Sequence, residues 1–407
     1  MNKKAIAILA AIFLLIVGTL GFLIYSRDSS EGGEKTSVSE ENPADNNPSE
    51  ASGNSGGNNS TTTPAGSASE KFVKLTSSEQ IVSPILFYNG NGVTYMNSLG
   101  ELIKSDFETS ANGQITLTRT RNLEIQKKAQ ISRILWPKSG DDFIVEFSVP
   151  SGSGTSLGKS YSYFKFSTGS YIDLPAQVTS VEWMPNGDKI IYIWTDQDSA
   201  GNLKSTLNIA DPDTQNYATI AQLYESDDVL SLSPDGLNLI LHRTQNTESV
   251  NKIVQTTPDG KVWKDLVKDG FNFGILWSPD SQKFLFGKMD KNGAGFRLWF
   301  YDLYSGEVKN LGLSAVPSKA VWSSDSRTVY LASPKDGKYI KDYSDLEGTF
   351  TSDVFYKIDS SSMEKTEYMP ENMDIDGREL FLNPAEDKLF FKNAQDGGLY
   401  YLDLAKF

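Results

Sequence analysis

Short runs of apolar residues recur along the chain, and a polar turn precedes each of them. The runs are continuous and rich in β-branched and aromatic residues, a pattern typical of strands that are buried on both faces. They occupy residues 143–145, 190–193, 239–241, 284–286, 329–331 and 389–391. The pattern therefore predicts a buried strand in each of six repeated units.

The turn before each run is a repeated phrase, most complete as Trp277-Ser278-Pro279-Asp280-Ser281. Proline presets the backbone angle φ for a turn, and Asp, Ser and Gly accept the dihedral angles that follow. The third position of the phrase falls at 137, 185, 234, 279, 324 and 384, so the steps are 48, 49, 45, 45 and 60 residues. A period of this length built from short strands is typical of a β-propeller.

Each unit also contains a second turn, such as Ser305-Gly306, and therefore two hairpins, which make one four-stranded blade. A seventh unit without the phrase precedes the six, with strand-like runs at 85–88, 93–96, 101–104 and 114–118. We therefore predict an all-β fold, a β-propeller of seven four-stranded blades, with six or eight blades as the alternatives.

The final unit lacks a fourth strand before Phe407, and an unassigned strand-like run lies upstream of the first unit at 71–75. We expect this N-terminal strand to complete the last blade. Such pairing would close the ring and cover an edge that is otherwise open. The predicted propeller therefore spans residues 71–407.

The N-terminal segment predicts a membrane anchor. Lys3 and Lys4 precede an uncharged, largely apolar run at 5–25, which as a helix would be roughly 31 Å long and would span a bilayer. The run is longer than the apolar core of a cleaved signal peptide. We expect residues 1–26 to form a cytoplasmic tip and a transmembrane signal anchor. Residues 27–70, rich in Ser, Gly, Asn and Thr, are then a disordered linker, and the propeller lies on the extracytoplasmic side of the cell membrane.

Composition excludes several function classes. The chain has no cysteine, a single histidine and a net charge of −14. Disulfides, thiolate catalysis and cysteine-based zinc sites therefore have no residues to use, and an acidic protein lacks the basic footprint of a nucleic-acid binder. We predict no catalytic residues, no cofactor and no metal site.

Several short motifs resemble functional sites. Residues 154–158 match the Gly-x-Ser-x-Gly pattern of a hydrolase nucleophile, but they lie in a Gly/Ser-rich segment between strands and lack the helix that this elbow needs. His242 follows a buried strand, where a packed or surface role is expected. The Asp-rich stretches 196–201 and 290–293 resemble parts of calcium loops, yet neither has the glutamate that an EF-hand requires at position twelve.

The largest departure from the repeat is the last of the five steps, the 60-residue step in blade six. Its surplus lies between residues 334 and 353 and includes Tyr339, Tyr343 and Phe350 among several charges. Insertions in propellers map to loops, and aromatic residues are enriched in protein interfaces. These three residues are the predicted partner-binding positions.

The Trp-Ser-Pro-Asp phrase followed by an apolar strand resembles the repeat of TolB-like, WD-repeat-like bacterial propellers. That resemblance implies an extracytoplasmic protein-interaction module. We therefore expect a non-enzymatic scaffold that binds a protein or a cell-envelope component. The alternative is an enzyme that acts on glycans through carboxylates around the propeller channel, since a pair of carboxylates is what glycosidases need. A third hypothesis, an envelope sensor, is disfavoured by the very short cytoplasmic tail.

Overall fold

Seven four-stranded antiparallel sheets make up the part of the chain that the computed structural model describes. The described residues are 72–76, 80–87, 89–111, 113–124, 130–138, 141–150, 157–223, 228–243, 251–289, 296–335, 350–370 and 373–406. The strands of each sheet pair in chain order, except where the first strand joins the last sheet. The fold is a seven-bladed β-propeller, as the repeat predicted.

The blades are numbered in chain order, and their strands run from the innermost to the outermost. Blades 1 to 3 contain β2 (Ile81–Leu86), β3 (Gly92–Asn97), β4 (Glu101–Thr109), β5 (Ile115–Glu124); β6 (Gln130–Leu135), β7 (Phe143–Pro150), β8 (Leu157–Lys165), β9 (Ser170–Asp173); and β10 (Val178–Trp183), β11 (Ile190–Gln197), β12 (Leu203–Ala210), β13 (Ala218–Leu223). Blades 4 and 5 contain β14 (Val229–Leu232), β15 (Leu239–His242), β16 (Ile253–Thr256), β17 (Trp263–Val267); and β18 (Phe271–Trp277), β19 (Lys283–Met289), β20 (Phe296–Asp302), β21 (Val308–Asn310). Blades 6 and 7 contain β22 (Ala320–Trp322), β23 (Thr328–Pro334), β24 (Asp353–Asp359), β25 (Lys365–Tyr368); and β26 (Gly377–Leu382), β27 (Lys388–Asn393), β28 (Leu399–Asp403), β1 (Phe72–Lys74).

The ring is closed by β1, which pairs with β28 as the outermost strand of blade 7. Phe72 lies opposite Leu402 in this ladder, and the Leu75 N–H donates to the Leu399 carbonyl at 2.8 Å. The observed pairing matches the expectation from the sequence. It joins the two ends of the propeller by backbone hydrogen bonds.

The repeated phrase is a turn closed by its own side chains. In the turn that contains Ser278, the hydroxyl donates to Asp280 Oδ1 at 2.6 Å and accepts the Lys283 N–H at 3.0 Å. The same serine–aspartate bond, at 2.6 Å, links Ser233 to Asp235. Short polar side chains satisfy the backbone of a tight turn in this way, which explains why Ser and Asp recur in the phrase.

The tryptophans of the phrase join neighbouring blades. Each of three indole N–H groups donates to a carbonyl on the innermost strand of the preceding blade. The pairs are Trp183 to Leu135 at 2.8 Å, Trp277 to Ser231 at 3.3 Å and Trp322 to Leu276 at 3.4 Å. The sequence period is therefore also the period of the contacts that hold the ring together.

The last position of the phrase packs against the turn of the preceding blade. Gly236 has a φ of +73°, and a Cβ there would lie 2.6 Å from Pro185 Cγ, so a side chain has no room. Where serine takes this position, as at Ser281, its hydroxyl accepts the Asp235 N–H of the preceding turn at 3.0 Å. Either residue brings consecutive turns into contact on one face, which we call the phrase face.

The second strand of each phrase-bearing blade is buried, as predicted; Phe143, Ile190 and Phe284 are completely inaccessible. Blade 1 departs from the prediction, because its first strand is β2 (Ile81–Leu86) rather than 85–88. Its register shifts between Val82 and Ile85, and Ser83 has a φ of 47°. A bulge of this kind interrupts the alternation on which sequence reasoning depends.

The predicted anchor at 1–26 and the linker at 27–70 lie outside the described residues, so both stay predictions. Among the residues that the structure describes, no helix has the length and apolarity needed to cross a membrane.

Candidate functional site

Both ends of the blade 6 insertion, after β23 and before β24, lie on the face opposite the phrase face, and we call this the insertion face. Pro334 pairs with Asp353, and the Lys335 N–H donates to the Ser352 carbonyl at 2.8 Å, so both ends of the insertion are held together. Phe350 lies just before β24 with 55% of its surface exposed. The predicted residues Tyr339 and Tyr343 lie outside the described residues.

A buried lysine contacts the segment that leads from the insertion into β24. Lys319 Nζ is 2.7 Å from Asp353 Oδ2, 2.7 Å from Asp376 Oδ1 and 2.8 Å from Thr351 Oγ1. An ammonium group has three N–H donors, so these oxygens satisfy all of them. Together with Arg378, which contacts Asp376, these residues are called the lysine cluster below.

Arg378 supplies the second positive charge of the lysine cluster. Its Nη2 lies 2.5 Å from Asp376 Oδ2, and its Nε lies 3.1 Å from Asp376 Oδ1. The Thr351 hydroxyl donates to Asp353 Oδ1 at 2.8 Å. Two cations thus balance two carboxylates, and the Arg378 side chain, 19% exposed, connects the cluster with solvent.

Three separate segments bring the lysine cluster together. Lys319 ends a short 3-10 turn (Pro317–Lys319), Asp353 begins β24, and Asp376 directly precedes β26. The Gly377 N–H donates to Asp353 Oδ2 at 2.8 Å, which ties the first strand of blade 7 to the base of the insertion in blade 6. The cluster therefore fixes the start of β24, just after the insertion, relative to blade 7.

Burial and charge act in opposite directions on the two carboxyl groups. Burial raises the pKa of Asp353 against the attraction of Lys319. Burial also opposes ionisation of Asp376, but the hydrogen bond from Arg378 and the charge of Lys319 outweigh it and hold the pKa of Asp376 below its usual value. Removing one member of a buried charge pair typically costs about 3–5 kcal/mol because the remaining charge is left uncompensated.

Sequence reasoning missed the lysine cluster. Lys319 stands in the largely apolar stretch 315–321, and a lone lysine in such surroundings is a usable signal for a buried ion pair. Its partners are 34 and 57 positions further along, as the numbers 353 and 376 show. They could be identified only once the blades were placed side by side.

A second group of charges lies where blades 2 and 3 meet. Arg133 Nη2 is 3.6 Å and Lys159 Nζ is 3.3 Å from the buried carboxylate of Glu146, which also accepts the Ser132 hydroxyl at 3.0 Å. Burial opposes ionisation of Glu146, but these two cations lower its pKa. Glu182, on the innermost strand of blade 3, has its pKa raised by burial. Two nearby glutamates thus have pKa values that move in opposite directions.

His242 is buried at the end of β15, with 4% of its surface exposed. Its Nδ1 has no hydrogen-bond partner among the described residues. Burial lowers its pKa to about 4, although a hydrogen bond with the Phe273 backbone acts in the other direction. A neutral imidazole is therefore packed at this position.

The Asp-rich stretch 196–201 is a hairpin loop between β11 and β12. Asp198 Oδ1 accepts the N–H groups of Ala200 and Asn202, each at 2.9 Å, so this carboxylate closes the turn itself. The stretch 290–293 lies outside the described residues, as does most of 154–158. Gly158 belongs to the β8 ladder opposite Val149. Within the described part of the chain, no group of three His, Asp or Glu side chains is arranged to hold a metal ion.

Comparison with known proteins identifies the fold. No family model and no curated protein sequence matches the chain. A solved structure of an oligogalacturonate lyase in complex with manganese is similar, with a TM-score of 0.55 and 11% identity over 82% of this chain and 93% of that one. The β-propeller domain of Myceliophteria thermophila Cps50 (Swd1) matches with a TM-score of 0.50 and 11% identity over 82% of this chain and 99% of that one.

TolB from Acinetobacter baumannii is also matched, with a TM-score of 0.40 and 14% identity over 84% of this chain and 86% of that one. Identities this low show similarity of fold alone. The resemblance to WD-repeat-like propellers that the phrase indicated is thus confirmed at the level of the fold. The similar structures include an enzyme and a propeller domain that is not named as one.

Proposed function

We propose that the chain is a non-enzymatic binding scaffold whose partner, a protein or a cell-envelope component, contacts the insertion face beside blades 6 and 7. The observation that supports this most directly is the lysine cluster at the point where the insertion rejoins blade 6. It buries three charged groups completely and Arg378 in part, where apolar side chains of similar volume would often be at least as stabilising. Buried polar networks of this kind fix one geometry, and here the geometry is that of the loop base.

The exposed aromatic ring next to that base supports the same proposal. Phe350 is 55% exposed and stands three residues before Asp353, which the cluster holds in place. An aromatic side chain on a rigid base loses little conformational freedom on binding, which favours affinity. We propose that Phe350, with Tyr339 and Tyr343 of the same insertion, contributes to the binding surface.

The binding test compares matched substitutions on the two faces. If a protein or an envelope component co-purifies with the full chain, Phe350→Ser should abolish its retention. Tyr304→Ser is the control, because Tyr304 is 97% exposed in the turn between β20 and β21, on the phrase face. Equal retention by both variants would contradict the proposed surface.

We also propose that residues 5–25 anchor the chain in the membrane as a single pass and that 27–70 tether the propeller outside the cytoplasm. The support is the 21-residue uncharged run after Lys3 and Lys4. Protease added to intact spheroplasts should release the propeller by cutting within 27–70. A mature protein that begins after residue 20 and is freely soluble would contradict the anchor.

The second candidate function is an enzyme that acts on glycans at the junction of blades 2 and 3. The observation in its favour is that two neighbouring glutamates lie in different environments, so that the pKa of Glu146 is lowered and that of Glu182 is raised. Such divergence is typical of paired catalytic carboxyl groups. Under this hypothesis the purified propeller would release reducing ends from envelope polysaccharide, and Glu182→Gln would abolish the release. No release by the wild-type protein is what the scaffold proposal expects.

A further inference from the structure

The lysine cluster places a primary amine against a carboxyl group in a site closed to water. The side chains of Lys319 and Asp353 are both 0% exposed, and Nζ lies 2.7 Å from Asp353 Oδ2. A nitrogen this close to a carboxyl oxygen also lies near the carboxyl carbon, close to the separation of about 3–3.5 Å that characterises a near-attack geometry. The arrangement is therefore suited to bond formation as well as to ion pairing.

We propose that Lys319 Nζ and Asp353 Cγ condense into an intramolecular amide, so that the mature protein has a covalent cross-link in blade 6. The N–C bond forms, the bond from Cγ to one carboxyl oxygen breaks, and that oxygen leaves as water with two protons from the Lys319–Asp353 pair. The condensation changes no oxidation state and uses no further reactant. It removes one positive and one negative charge, and it leaves Asp376 and Arg378 as a balanced pair.

Asp353 is the acceptor rather than Asp376. Arg378 binds both oxygens of Asp376 in a fork, at 2.5 and 3.1 Å, and keeps it as a carboxylate, whose carbon resists a nucleophile. Asp353 has Lys319 as its close cation, at 2.7 Å. Burial raises the pKa of Asp353, which favours the protonated carboxyl group, the form whose carbon accepts a nucleophile.

Two neighbouring side chains are placed to assist. Asp376 Oδ1 lies 2.7 Å from Lys319 Nζ, so it can take the amine proton as the N–C bond forms and return it to the departing oxygen. The Thr351 hydroxyl donates to Asp353 Oδ1 at 2.8 Å and stabilises the negative charge that develops there. The cross-link would join the two segments that flank β23 and the insertion, so this inference goes beyond the binding function proposed above.

The chain contains a matched control. Lys74 Nζ lies 2.5 Å from Asp396 Oδ2, but these side chains are 34% and 33% exposed. Water solvates both charges there, so the ionised pair is favoured and no condensation is expected. Comparing the two ion pairs therefore separates the effect of a short distance alone from the effect of a short distance combined with burial.

The test is the mass of the wild-type full chain under denaturing conditions, followed by tryptic mapping. The chain should be one water molecule lighter than its sequence. Residues 310–327 and 342–357 should appear as one linked peptide, because trypsin does not cut after an acylated lysine. The peptides that contain Lys74 and Asp396 should remain separate.

Two variants complete the test. Lys319→Met should restore the sequence mass, and Thr351→Val should lower the linked fraction severalfold in freshly refolded protein. The proposal is overturned if folded wild-type protein has its full sequence mass with Lys319 and Asp353 in separate peptides. It is also overturned if the missing water maps to a succinimide at Asp376-Gly377, because that product leaves Lys319 free.

Discussion

Closure of the ring by β1 makes a quantitative prediction at Phe72. This side chain is 5% exposed, and its ring lies 5.4 Å from Phe355 and 5.5 Å from Tyr368 in blade 6 and 6.0 Å from Phe391 in blade 7, measured between centroids. Truncating a buried phenylalanine to alanine typically costs about 3–5 kcal/mol, from lost transfer energy and the cavity left behind. Phe72→Ala should lower the free energy of unfolding by this amount although it alters a strand of three residues.

Lys74→Ala is the control in the same strand. Its ion pair with Asp396 is about one-third exposed, so the loss should be about 1 kcal/mol or less. Urea unfolding followed by tryptophan fluorescence measures both variants, and with a slope of at least about 3 kcal/mol/M, Phe72→Ala should lower the midpoint by about 1 M. Equal midpoints for the two variants would refute closure through a packed β1.

Deletion of residues 71–76 should lower the urea midpoint further than Phe72→Ala does. Deletion of residues 30–60 should leave the midpoint unchanged, because a segment of that composition cannot form a core.

Three further predictions concern His242, Gly236 and bound metal ions. Burial lowers the folded-state pKa of His242 to about 4 from 6.5. The contribution of the neutral imidazole to the free energy of unfolding is therefore fully present above pH 6.5 and is lost as the pH falls towards 4, by about 3 kcal/mol in the wild-type protein. Urea titrations at several pH values should show that the free energy of unfolding depends less on pH in His242→Gln. Gly236→Ala must accommodate both a φ of +73° and a contact of 2.6 Å with Pro185, so it should lower the free energy of unfolding by about 2–4 kcal/mol. Gly169→Ala, with a φ of +64° and open space around it, should lower it by about 1 kcal/mol. Equal destabilisation of the two variants in thermal melts would contradict the contact between turns. Chelators should leave the melting temperature within about a degree, and a large fall would reveal a bound metal ion.

The fold was predictable because the same residues make the turns and the contacts between blades. Pro185 and Gly236 belong to consecutive copies of the phrase and touch each other, and Trp277 bonds the preceding blade, so local sequence and tertiary contact share one period. Blade 1 was placed less accurately because the bulge at Ser83 disrupts its first strand. The blade count still followed from the hairpins.

The candidate site was only partly predictable. The length of the insertion and the aromatic character of Phe350 are visible in the sequence. The pairing of Lys319 with Asp353 and Asp376 is not, because these residues are distant in the chain and belong to no motif. Such long-range pairs follow from the arrangement of blades 6 and 7. No local pattern of polarity encodes them.

Site-specific photo-crosslinking in intact cells tests whether the insertion face binds a partner. A photoreactive phenylalanine is placed at Phe350 or, as a control of even greater exposure, at Tyr304 on the opposite face. We expect one discrete adduct from position 350 and no such adduct from position 304. Purified wild-type propeller should prevent the adduct at 350, and a propeller lacking 338–347 should not. Equal adducts from both positions, or none from position 350, would contradict binding by the insertion face.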